Sequence, residues 1–495
     1  MFSYSEFKHD YALSHFRYIE PISDDYRVFL NGEEIPVYTC RISKFPFNRI
    51  WPGFQRPFDQ SEQASYVNIV SDEEITLEVI VNRKYEKILI KPYSKNVEFS
   101  DEGGKVRFSL RENGQFVLEA DSYHHCLYIF NSKPIAAPGK DEVTHFFGPG
   151  IHFPGKITLK TGDKVYIDKD ALVFGQIFAE NAEGVRIFGN GVLDSGNEER
   201  VYIHCYEAFT NGNLKFYDCK NLKIEGIAMK NSAIWCVNLF GCEDVTLDNI
   251  KVFGQWRYNT DGIDIVNSQN VRISNSFVHS FDDTVTIKGI DRYIERNCED
   301  ITVENSVLWC DWGRALEIGL ETACREYKNI AFKNCDILRS GGIALDIQNG
   351  DCADVHDVTF TDINVEFNAF DTPPVYQATD EMHYEKETET DIPMLINITN
   401  PPFRNKDNES DWGIPYSDYE EIGKKGAHGT AHDITFTNIN VYYDDALTKE
   451  NKKPIIKMCF YSFFPEITYS DISLENIAVN GERLRKEDVK FEQLA

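Results

Sequence analysis

Across the C-terminal two thirds of this chain one short phrase keeps returning, and it restricts the fold more than any other feature. The phrase is polar-polar-apolar-x-apolar-x-Asn/Asp. Copies stand at Asn221-Leu222-Lys223-Ile224, Asp244-Val245-Thr246-Leu247, Asn270-Val271-Arg272-Ile273, Asp300-Ile301-Thr302-Val303, Asn329-Ile330-Ala331-Phe332 and Asp357-Val358-Thr359-Phe360. Two more follow at Asp433-Ile434-Thr435-Phe436 and Asp471-Ile472-Ser473-Leu474. The first apolar residue steps by 23, 26, 30, 29 and 28 positions before the longer gap from 358 to 434. Short alternating strands at that period, with no helical pattern between them, belong to a parallel β-helix. Leucine-rich and helical repeats share the period but carry helix signals that are missing here. Lys156-Ile157-Thr158-Leu159 and Val185-Arg186-Ile187-Phe188 read as the first coils.

Residues 1–143 follow a different rule. Arg27-Val28-Phe29-Leu30 and Ile35-Pro36-Val37-Tyr38 flank Asn31-Gly32, and Val106 to Leu110 and Gln115 to Leu118 flank Asn113-Gly114. Asn and Gly tolerate positive φ, so both pairs read as hairpins of a β-sandwich. The expected fold is therefore all-β: a right-handed parallel β-helix (solenoid) over 144–495 preceded by an N-terminal β-sandwich domain over 1–143. An excursion at about 366–430, with two Pro-Pro pairs and many acids, interrupts the solenoid and is either a packing flap or a wall of the binding cleft. Solenoid ends need covering. The sandwich is expected to cap one end, and the tail or a second subunit of a homo-oligomer the other.

Composition narrows the function. The 495 residues carry 51 Lys+Arg against 80 Asp+Glu, a formal net charge of −29. That balance argues against nucleic acid or an anionic membrane as partner, since both require clustered cations. No apolar run approaches the roughly 20 residues of a membrane helix. The start lacks a basic region followed by an apolar stretch, so a cytoplasmic location and an imported oligosaccharide are expected, with exo action on it. The 12 cysteines include no Cys-x-x-Cys pair and read as free, mostly buried thiols. His124-His125 reads as structural, and no metal or cofactor is expected.

Each coil has a second strand. Its inward pairs are Val237/Leu239, Ile263/Ile265, Val285/Ile287, Leu316/Ile318 and Leu345/Ile347. Intervening residues then stack into columns one strand spacing apart. One column reads Asn238, Asp264, Thr286, Glu317, Asp346; another reads Trp235, Asp261, Asp283, Arg314, Ile343. Asp261, Asp264, Asp282 and Asp283 thus gather on adjacent coils. Like charges that close raise one another's pKa, as an acid/base pair requires. Trp235, Trp256, Trp309 and Trp312 lie nearby in sequence, and indole faces stack on sugar rings. His279, three residues before Asp282, either approaches the cleft or is structural.

Asn259-Thr260-Asp261-Gly262-Ile263-Asp264 followed by Asp282-Asp283 resembles the active-site signature of glycoside hydrolase family 28, the polygalacturonases and their relatives. Cys310-Asp311-Trp312-Gly313-Arg314-Ala315-Leu316-Glu317-Ile318-Gly319 is similar to that family's next motif, Gly-His-Gly and an apolar-x-Ile-Gly strand. The added sandwich is similar to the layout of family 49, the dextranases and isopullulanases. The resemblance implies inverting hydrolysis, with Asp282 as general acid and Asp261 with Asp283 holding and deprotonating the water. Asp264, Trp256, Lys288, Trp312, Arg314, Glu317 and Asp346 are the candidate substrate-binding residues. Two departures stand out: Arg314 replaces the family's His, and Gly342-Ile343-Ala344-Leu345-Asp346-Ile347 replaces its Arg-Ile-Lys strand. An acidic cleft with one Arg predicts a neutral glycan rather than a polyuronide. Three alternatives stay open: a pectinase, a β-helix lyase or epimerase with Lys288 as base, and a non-catalytic glycan-binding solenoid.

Overall fold

The computed structural model describes residues 22–44, 61–198, 212–368, 394–401, 429–444, 456–464, 467 and 469–485, with short strands at Val375–Gln377, Tyr384–Lys386 and Val489–Phe491. Its architecture is all-β, a two-sheet sandwich followed by a parallel β-helix. One sandwich sheet orders Glu33–Ile35, Tyr26–Leu30, Ile75–Val81, Lys105–Leu110 and Phe99–Asp101; the other orders Tyr38–Ser43, Ser61–Val70, Ser122–Ser132, Gly114–Ala120 and Ile88–Lys91. Asn31-Gly32 forms the expected hairpin, with φ of 50° and 90° and Leu30 opposite Glu33. Asn113-Gly114 does not. There the chain crosses from one sheet to the other, and the Asn113 amide donates to the Ser71 carbonyl at 2.7 Å instead of shaping a turn.

The solenoid begins at His145–Phe147 and continues through a 30-stranded sheet. The repeated phrase stacks in register: Leu222 on Val245, Val271, Ile301, Ile330, Val358, Ile434 and Ile472. Its Asn or Asp has a conformational cause. Asn221, Asp244, Asn270, Asp300, Asn329, Asp357, Asp433 and Asp471 all have φ between 50° and 59°, a left-handed turn that Asn and Asp tolerate best after glycine. A second such row, from Asn249 through Asn275, Asn305 and Asn334 to Asn438 and Asn476, closes the other end of the strand. Side-chain amides link that row, as in Asn334 to Asn305 at 2.6 Å and Asn476 to Asn438 at 2.7 Å.

Three expectations need correction. Ile157 pairs with Ile177 and, through it, with Leu214 and Val237, so it opens the column of second strands rather than that of the repeated phrase. The 366–430 interval also holds a strand of the solenoid, Met394–Asn400, on which Asn397 continues the column below Asp346; most of its other residues lie outside the described ones. Coils also carry a third strand, exemplified by Phe277–Ser280, Val307–Cys310 and Asp336–Ser340.

The third face explains where the sandwich sits. Its side chains Val192, Ala228, Phe253, Phe277, Val307 and Leu338 point away from the solenoid axis into a shared core with Cys40, Tyr66, Val117, Tyr128 and Phe130 of the sandwich. The N-terminal domain therefore lies along the flank of successive coils instead of over an end. A buried ionic knot reinforces the seam. Arg339 grips Glu119 with two bonds of 2.6 and 3.0 Å, and Lys91 lies 3.1 Å from Glu366 and 3.8 Å from Glu119.

Candidate active site

The corner between the third face and the second-strand face carries the signature residues. Backbone bonds fix its register: Cys236 N–H donates to Asp261 O, Gly262 N–H to Asp283 O, and Thr284 N–H to Arg314 O. Trp235, Asp261, Asp283 and Arg314 are thereby equivalent positions on four neighbouring coils, and Arg314 pairs with Ile343 on the next. The second column also holds, with Asn238, Asp264, Thr286, Glu317 and Asp346 in register.

Two cations bind this cluster together. Lys288, almost fully buried, places Nζ 3.0 Å from Asp261, 3.2 Å from Asp264 and 3.5 Å from Asp283, under the Trp235 ring at 4.0 Å. Arg314 reaches Asp283 at 3.4 Å and both Glu317 and Asp346 at 3.6 Å, while its backbone N–H donates to Asp283 at 3.1 Å. Asn259, in a left-handed conformation, donates to Asp282 Oδ2 at 3.2 Å. Gly313 has to be glycine on steric grounds, because a Cβ there would lie 2.3 Å from Asp283 Oδ1 and 2.7 Å from Asp282 Oδ1.

Electrostatics separates the adjacent carboxyls. Burial, helped by the Asp283 charge, pushes Asp282 up to about 7. Burial alone would raise Asp283 too, but Arg314 and Lys288, with bonds from Glu317 and the Arg314 backbone, hold it below its ordinary value. Burial raises Asp261 well above the carboxylate range despite Lys288, and takes Asp264 to about 7 and Asp346 to about 6. Among the described residues nothing donates to either Glu317 oxygen, and burial raises that acid strongly. Lys288 is held firmly charged by the surrounding acids, which outweigh its burial. That direction disfavours a general base at this position.

The structure sorts the remaining candidates. Asp264, Glu317 and Asp346 are fully buried and form a layer beneath the corner residues. Trp256 is also buried, so it offers no ring face to a ligand. Trp312 is partly exposed and sits against Phe281 and Tyr258, with ring centroids 5.8 and 6.0 Å away. Trp309 and His279 belong to the seam with the sandwich, stacked at 4.0 Å and fully buried. His124 meets Glu62 and His125 meets Asp25 within the sandwich. Among the described residues no group of three or more His, Cys, Asp or Glu is arranged to hold a metal ion, and the eleven described cysteines are free thiols. Sequence reasoning missed Tyr258 and Asn397. The Asn397 amide donates to Asp346 at 2.7 Å, and its strand lay hidden in the irregular 366–430 interval.

Residues 144–459 match the model of glycosyl hydrolases family 28. The chain belongs to that family. Among family 28 relatives, a probable exopolygalacturonase B of Aspergillus terreus is 26% identical over 251 residues, covering 45% of this chain and 54% of that protein. An exopolygalacturonase of Oenothera organensis is 28% identical over 220 residues, covering 40% and 55%. The chain thus spans about half the length of the curated relatives it matches. In three dimensions Dex49A from Penicillium minioluteum superposes with a TM-score of 0.61 at 12% identity, over 94% of this chain and 91% of that one. This likeness is one of fold, and it extends over both parts of the molecule.

Proposed function

We propose that this chain hydrolyses a glycosidic bond with inversion of configuration. The observation that carries the reading is the gathering of Asp261, Asp282 and Asp283 at the corners of adjacent coils in a chain of family 28, and their surroundings drive Asp282 up to about 7 and Asp283 down. Environments that drive two acids apart in this way assign an acid and a base. Asp282 then protonates the leaving oxygen, and Asp283 takes the proton of a water on the opposite face of the ring. Asp261, whose Oδ2 accepts from Lys288 Nζ at 3.0 Å, helps Asp283 to hold that water. A screen of defined oligosaccharides, with NMR of the first-formed anomer, tests the reading. Retention, or an unsaturated product absorbing in the ultraviolet, would remove it.

For the substrate we infer a neutral glycan, on grounds that differ from simple repulsion. Burial raises several of the six acids and Lys288 adds a second cation, so the cluster is less negative than residue counting implies. What supports neutrality is saturation: Arg314 already meets three carboxyls and Lys288 three, with Asp283 shared between them. Neither is left to grip a uronate in the bidentate manner that guanidinium favours. The exopolygalacturonase relatives favour a second reading, an oligogalacturonide. Efficient hydrolysis of oligogalacturonides that weakens in Arg314→Ala would decide for it. Exo action belongs to either reading, and rapid viscosity loss on a long polymer would rule it out.

A further inference from the structure

Tyr128, on the sandwich strand Ser122–Ser132, extends its hydroxyl across the seam to His279 Nδ1 at 2.7 Å. The other ring nitrogen, Nε2, lies 3.0 Å from Asp311 Oδ1, and Trp309 Nε1 donates to the same oxygen at 2.9 Å. His279 precedes Asp282 by three residues on one coil, and Asp311 precedes Arg314 by three on the next. The relay therefore ties together the two strand ends that enter the catalytic corners.

Local bonds carry its geometry onward. Ser280 Oγ meets the Asp282 carbonyl at 2.5 Å and Thr284 Oγ1 at 2.9 Å. Asp311 and Trp312 N–H donate to Ser280 and Phe281 carbonyls at 3.1 and 2.8 Å, which seats Gly313 against the two carboxyls. Tyr128 and His279 are fully buried among aromatic rings. An apolar pair would fill that space without the desolvation that a buried polar relay requires, so the relay's contribution is orientation. We propose that Tyr128 is a positioning residue for the active corners, acting through His279 and Asp311, so that turnover depends on the N-terminal domain. The proposal rests on the hydrolase reading above.

The test compares Tyr128→Phe, Asp311→Ala and Asp311→Asn with wild type, and uses Tyr26→Phe as a hydroxyl deletion confined to the sandwich, where Tyr26 donates to His125 O. Tyr128→Phe and Asp311→Ala should lower kcat roughly ten- to a hundredfold, since misplacements near 1 Å reach that size. KM and Tm should stay close to wild type. Asp311→Asn keeps an acceptor oxygen and should restore most of kcat; Tyr26→Phe should leave it unchanged. Hydrogen exchange should quicken over residues 279–284 and 309–314 in the two impaired variants. Unchanged kcat per folded molecule, with or without a fall in Tm, would overturn the proposal. A wild type that turns over no glycoside fails the hydrolase reading; the exchange data then decide alone, and unchanged exchange at these corners overturns the positioning role.

Discussion

Two buried charge clusters lie side by side in this molecule, and they are built on opposite plans. At the seam, Lys91 and Arg339 face Glu119 and Glu366, two cations for two acids, with Arg339 bidentate on Glu119. At the corners, Lys288 and Arg314 face Asp261, Asp264, Asp282, Asp283, Glu317 and Asp346. The balanced knot holds Glu119 below its ordinary pKa against its burial, through Arg339 and Lys91, while burial leaves Glu366 raised despite Lys91. The unbalanced one pushes most of its acids up, Asp261, Asp264, Asp282, Glu317 and Asp346 through burial, and holds Asp283 alone down through Arg314 and Lys288 against its burial. A charge-matched cluster serves docking, whereas an excess of acid favours raised pKa values of the kind an acid/base site uses.

The largest effect should come from the unbalanced cluster. Asp282→Asn or Asp283→Asn is expected to lower kcat by about 10²–10⁴, and removing one of several crowded acids should leave Tm level or slightly higher. A steep fall in Tm in either variant would mean that these acids hold the fold, and the contrast would collapse. At the seam the opposite holds. Arg339→Ala leaves Glu119 buried with only Lys91 at 3.8 Å, a loss of about 3–5 kcal/mol by denaturant titration. Stability unchanged within 1 kcal/mol would show the knot to be dispensable.

Proton storage at Asp282 has a pH signature with a definite sign. Its raised value of about 7 makes the acid form the working one below that pH, so kcat/KM should fall about tenfold per unit as pH climbs beyond it. The depressed Asp283 keeps the base ionised and moves the acidic limb below its ordinary value. A profile flat from pH 6 to 9 would detach Asp282 from proton donation. The smallest effect is expected at the rim: Trp312→Ala should raise KM several-fold with kcat nearly kept, on the order of 1 kcal/mol of ring contact. Isothermal titration with a non-cleaved oligosaccharide reads the same loss.

How far the chain could be read by eye differs between the same two regions. The Asp261, Asp282 and Asp283 corner was legible, because strand alternation and a fixed repeat place residues on a column without any knowledge of their neighbours. The seam was not. Phe277 turns toward the sandwich and Val278 toward the solenoid core, so the strand is buried on both faces and loses the polar alternation that marks a strand. A third face of this kind reads as turn, and the docking of the sandwich along it disappears with it. Trp256 fails for a related reason: a motif supplies position along the chain but not the depth at which a ring comes to lie. Lys288 and its three carboxyls depend on how a long side chain folds back, which no periodicity encodes.

The left-handed Asn row has a bearing on how such a molecule can change over generations. From 226–227 to 249–250, 275–276, 305–306 and 334–335, the connection at that row spans two residues on coil after coil. The opposite connections, which carry the signature, run over 231–236, 253–262, 281–284, 311–313 and 341–342. One edge keeps time while the other varies in length, so insertions and deletions can reshape the chemical edge without disturbing the stacking of the coils. New specificities would then arise by editing one border of the solenoid, and a grafted corner at 253–262 is the natural place to attempt it.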